Sequence, residues 1–116
     1  MTPTRPLLRS AVLAAALLSA PALAAADTDL ENGKKKFDGL CAQCHKTDGE
    51  GTPGMGMDLR TAPLVKNGST GAIAKFIATG HPPTREFPLG MPADGGEDLD
   101  QKDRTDIAAY LKTLAK

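Results

Sequence analysis

Apolar positions recur at helical spacing in three stretches of the chain, and two glycine- and proline-rich stretches separate them. Leu30, Gly33, Phe37 and Leu40 fall three and four residues apart, which predicts a first helix over Asp29–Leu40 with these positions on one face. Gly33 lowers helix propensity by about 1 kcal/mol relative to alanine, so its place on that face points to a second helix crossing closely. Ile73, Phe76 and Ile77 form a short stripe in a second helix over Ser69–Thr79. Ser69 or Thr70 can cap its start and Gly80 can end it, and the stripe reads as core packing. Ile107, Tyr110, Leu111 and Leu114 mark a third helix from Asp100 to Leu114. Asp100 is placed to cap it, and Asp103 adds negative charge to its first turn. Between these helices, Asp48–Gly56 carries four glycines and Pro53, and His81–Gly96 carries four prolines. Both read as loops. A long irregular loop in a small domain is usually functional.

The first 26 residues follow a different rule. Arg5 and Arg9 precede an apolar run from Ala11 to Leu18, and small residues follow, with Ala22-Leu23-Ala24 and Ala24-Ala25-Ala26 as two cleavage signatures. Basic start, short apolar middle and small-residue cut site are the layout of a secretory signal peptide. Cleavage is expected between Ala26 and Asp27, leaving one domain over 27–116 in the periplasm, with no stable membrane insertion. The run is too short for a full span, which needs about 20 apolar residues, and Ser19 and Pro21 interrupt it.

The chain has 116 residues, enough for one domain, and a formal net charge of zero. Removing residues 1–26 takes away two arginines and leaves 12 basic and 14 acidic residues. Nothing in this balance suggests a nucleic-acid partner. The Lys34–Lys36 run reads as solvated surface. Three phenylalanines, one tyrosine and no tryptophan are little material for a core. Domains of this size often need a staple or a ligand to complete one.

The chemistry sits in Cys41-Ala42-Gln43-Cys44-His45. Two thiols one helical turn apart can add to the two vinyl groups of haem as thioethers, and the histidine that follows becomes the proximal iron ligand. A disulfide would leave His45 unexplained. A thioredoxin-like pair would need a βαβ pattern, and zinc would need a second ligand pair. For the sixth position the candidates are Met91, Met55, Met57 and His81. Met91 is preferred, because the Pro88–Pro92 loop can hold a thioether rigidly and a thioether favours the ferrous state.

On these residues the chain resembles the class I cytochrome c family, over essentially all of 27–116. Gly33 and Phe37 resemble the family's N-terminal helix, and Leu99–Leu114 with Tyr110-Leu111 its C-terminal helix. Gly56-Met57-Asp58-Leu59 is similar to the family's Gly-Pro-x-Leu, with Met57 in place of the proline, and Met91-Pro92 to its distal ligand segment. The resemblance implies an all-α cytochrome c fold, with about three main helices and long loops around one covalent haem c. It implies that His45 and Met91 are the iron ligands and that the residue-57 carbonyl receives the N–H of His45. It also implies a single-electron carrier, not an enzyme, that meets redox protein partners, a dehydrogenase or an oxidase, and is expected to be a monomer. Met91-Pro92, Gly95-Gly96 and a helix ending Ala109-Tyr110-Leu111 are further similar to small cytochromes and haem subunits of quinoprotein alcohol dehydrogenases. A tightly bound dehydrogenase subunit is therefore the alternative function. An open-site haem sensor or peroxidase would bind carbon monoxide in its native ferrous state, and Met91 argues against it.

Overall fold

A computed structural model describes Pro3 and residues 27–116; the expected signal peptide lies outside the described residues. These residues are helical, with no strand among them and two isolated antiparallel bridges, Thr52–Gly56 and His81–Met91. No helix among them is long and apolar enough to cross a membrane.

The first expected helix is longer than its apolar pattern and is built in three parts. Helix α1 spans Leu30–Lys36, a π-helical turn spans Phe37–Cys41, and α2 spans Ala42–His45. The Asp29 side chain caps the start by accepting from the Asn32 N–H at 3.0 Å. The run ends where Lys46 turns to φ 58°, a rare conformation for a residue with a side chain. Leu30, expected on the buried face, is 48% exposed. The reason is that the start of α1 is held by polar contacts. The Asp29 N–H and the Asn32 side-chain amide donate to Asp106 at 2.9 and 2.8 Å.

Short helix α3 spans Pro63–Asn67, and the apolar periodicity gave no sign of it. Proline at its first position is the one local signal. Its open end is satisfied from a distance: Lys112 Nζ donates to Val65 O at 3.1 Å and to Gly68 O at 2.6 Å. Helix α4, Thr70–Thr79, starts at the Ser69 cap and stops at Gly80, as expected. A 3₁₀ turn over Ala93–Gly96 follows the long loop. Helix α5, Gln101–Leu114, is capped by Asp100, whose carboxylate accepts from the Asp103 N–H at 2.7 Å.

Helix α5 is the centre of the packing, with α1 and α4 both lying against it. The crossing of α1 over α5 explains Gly33: a Cβ there would stand 2.1 Å from Asp106 O and 3.0 Å from Tyr110 Cβ. One turn on, Phe37 is fully buried and meets the Tyr110 ring at 5.6 Å between centroids. Ile73 and Ile77 of α4 close on Ile107 and Leu111 of α5. The basic run of α1 is largely neutralised locally, Lys34 by Asp38 and Lys36 by Asp103.

Candidate haem site

The π turn delivers the Cys-x-x-Cys-His segment to the wall of an apolar cavity. Both cysteines are free and half-buried. Burial pushes the Cys41 thiol up to about 11, and the neighbouring Cys44 adds to the shift. A thiol–disulfide redox pair needs a depressed value and a thiolate at neutral pH, so this site is unlike one. Among the described residues, no three His, Cys, Asp or Glu side chains gather as a metal cage.

His45 is oriented by the loop that follows it. Its Nδ1 lies 2.9 Å from Met57 O. A carbonyl only accepts, so Nδ1 carries the hydrogen and Nε2 keeps its lone pair, the arrangement a metal-binding imidazole requires. Burial lowers the pKa of His45, opposed by the Met57 hydrogen bond, and the ring is neutral at neutral pH. The Met57 carbonyl is presented by a tight hairpin in which Thr52 and Gly56 exchange N–H···O bonds at 2.9 and 3.0 Å. Gly56 has to be a glycine here, since a Cβ would stand 2.5 Å from Cys44 O and 3.0 Å from His45 Nδ1. The missing proline at position 57 therefore leaves the carbonyl in place.

Two cavities, of about 460 and 320 Å³, share the walls His45, Met57, Phe76, His81 and Met91. The second also reaches Phe37, Cys41 and Leu59. All four candidates for the sixth position thus border this space, but not equally. Met91 is half-buried and packs against the core, whereas Met55 and Met57 are 40% and 42% exposed and Met55 reaches only the first cavity. His81 is exposed. Met91 is also fixed in place: its N–H donates to His81 O and its carbonyl accepts from the His81 N–H, both at 2.8 Å.

Phe76 departs from its sequence reading. It is 36% exposed and lines both cavities rather than joining the core. Apolar spacing puts a residue on the inner side of a helix, but a packed core and the wall of a ligand cavity look alike to it.

The residues fit a covalent haem. An apolar space carries a neutral imidazole with a free Nε2, a thioether and a half-buried thiol on its wall, with the second thiol three residues further along.

A family model described as cytochrome c oxidase, cbb3-type, subunit III matches residues 28–111. The chain is 34% identical to cytochrome c-555 of Prosthecochloris aestuarii over 84 residues, 72% of this chain and 85% of that protein. It is 34% identical to cytochrome c-555 of Chlorobaculum tepidum over 90 residues, 75% of this chain and 80% of that protein.

Proposed function

The chain belongs to the cytochrome c family of electron carriers, and from that premise we propose a periplasmic shuttle in which His45 and Met91 bind the iron and Cys41 and Cys44 hold the haem. Its cofactor is one covalent haem c, its partners are redox proteins, and it is a carrier rather than an enzyme. When bound, haem supplies a one-electron ferric–ferrous couple. The rest is the work of the chain's own residues. His45 is held by Met57 O as the Nδ1–H tautomer, so Nε2 is ready to ligate without losing a proton. The His81 bridge fixes the Met91 backbone. Phe37, Leu59 and Phe76 keep the cavity apolar, which limits water near the iron and tunes its potential.

The observation that carries this reading is the His45–Met57 hydrogen bond, which leaves the other imidazole nitrogen free in a ring that lines a cavity together with Cys41 and Met91. The basic start and short apolar run of the chain support export, and a dehydrogenase or an oxidase is the partner class this reading takes. Visible spectroscopy with a redox titration of the purified protein tests the assignment. The oxidised protein should show the weak red absorption of sulfur-to-iron charge transfer, and the haem should stay on the chain through acid–acetone extraction. Met91→Ala should abolish the band and lower the potential, while Met55→Leu and Met57→Leu leave both unchanged. A band lost in either of those two variants and kept in Met91→Ala would move the ligand to the glycine-rich loop.

A further inference from the structure

The chain has two histidines, and the coordination proposed above uses one. His81 shows the same preparation as His45. Its Nδ1 lies 2.7 Å from Pro82 O; a carbonyl only accepts, so Nδ1 is the donor and Nε2 is the nitrogen that the neutral ring leaves for a ligand bond. No hydrogen bond to a described residue holds Nε2. The ring stacks on Phe76 at 6.0 Å between centroids and 22° between planes.

Its position is set by the bridge to Met91. Each residue's N–H donates to the other's carbonyl at 2.8 Å, so they form a hydrogen-bonded antiparallel pair. Side chains of such a pair leave the same face of the two strands. Both residues accordingly line both cavities, together with His45. A metal held by Met91 would stand at a wall that the His81 ring also lines.

We propose that His81 is a reserve axial ligand, whose Nε2 binds the iron when the Met91 sulfur dissociates. The proposal rests on the assignment of Met91 as the resident ligand. One iron–sulfur coordinate bond breaks and one iron–nitrogen bond forms. No electron moves. The exchange keeps external ligands out of the site. It also gives the carrier a second state of lower potential, because thioether ligation is what raises the potential of this class of site.

The test compares five purified haem-loaded variants with the native protein by ferric spin state and by carbon monoxide binding to the ferrous form. His81→Ala should keep the charge-transfer band of the native protein. Met91→Ala should lose the band yet remain low-spin. Met91→Ala/His81→Ala should be high-spin. Carbon monoxide should bind Met91→Ala more slowly than the double variant, by about tenfold or more, as expected when the open form is a minor population. Met91→Leu, with and without His81→Ala, repeats the comparison without opening a hole. Equal rates and a high-spin ferric state in Met91→Ala and Met91→Leu would overturn the proposal. A low-spin double variant would overturn it too, since another group would then be the reserve. If the native protein lacks the band and His81→Ala alone becomes high-spin, His81 is the resident ligand, and the assignment of Met91 falls instead.

Discussion

Two positions show how tightly single residues constrain this protein. At Gly33 a methyl group would overlap the Asp106 carbonyl, so Gly33→Ala has to push α1 off α5. Overpacking of this kind costs about 1–3 kcal/mol, and each kcal/mol lowers the melting temperature of a domain this size by about 4–8 °C. Gly39 is the control, because it is exposed and a Cβ there meets nothing within 4 Å. Gly39→Ala should be neutral or raise stability by about 0.4–1 kcal/mol through the unfolded chain. Thermal melts of the two holoproteins separate the cases. Asp106 makes a pH prediction. Burial opposes its ionisation, but donors from Lys102 at 2.5 Å, the Asp29 N–H and the Asn32 amide outweigh that and hold it below the ordinary 3.8. A carboxyl more acidic folded than unfolded contributes stability at every pH above its unfolded value, and loses it as pH falls through the folded value. Stability should therefore stay level down to about pH 4 and fall below it. Asp106→Asn should cost about 1–3 kcal/mol at neutral pH and flatten the acid limb of a denaturant titration.

At the scale of elements, the unusual parts are those that aim the site. The π turn over Phe37–Cys41 widens the helix by one residue, with the Ala42 N–H reaching Phe37 O, so everything after it is rotated relative to α1. Phe37 can then face α5 while Cys41 lines the cavity. Such turns are frequent at functional sites. The Met91 loop is anchored differently. Asp94, at φ 54°, takes two hydrogen bonds from Arg104 of α5 at 2.7 and 2.8 Å. Gly95 packs on Leu40 from the first helical run. Asn tolerates the left-handed backbone but loses the ion pair, and Ala loses both. Thermal loss of the charge-transfer band should therefore come at lower temperature in Asp94→Asn and lower still in Asp94→Ala, ahead of the helical signal. A band that melts together with the helices in both variants would show that the clamp does not position the loop.

The molecule as a whole is built around space its own side chains do not fill. The smaller cavity alone is about 320 Å³. At about 24 cal/mol per Å³, leaving it open costs at most about 8 kcal/mol, within the 5–15 kcal/mol or so that holds an ordinary domain together. The apoprotein should therefore be largely unfolded by circular dichroism, and haem attachment should bring the helices in, as any ligand does that binds only the folded state. A cooperatively melting, helical apoprotein would refute this. The ion pairs of Lys34 and Lys36 leave α1 with little free positive charge, so salt should affect electron exchange weakly through this face.

The three main helices, their Ser69 and Asp100 caps, the close crossing at Gly33 and the Cys41–His45 motif were legible in the sequence. The helices, caps and motif depend on residues close along the chain: apolar spacing, side chains that reach backbone three residues away, or a fixed order of residue types; Gly33 signalled a crossing but not that its partner is Asp106 of α5. The carbonyl that receives His45 was legible only through family likeness. Tertiary structure decided what distant segments do to one another. The π turn has no propensity signature; it lies where Phe37 packs on Tyr110 of α5 and Cys41 reaches the cavity, contacts between distant parts of the chain. Helix α3 depends on Lys112, far along the chain. Leu30 faces solvent and Phe76 faces the cavity because periodicity defines a side of a helix without saying what lies across from it. The pairing of His81 with Met91 likewise follows from a loop of nine residues closing on itself, which no local pattern encodes.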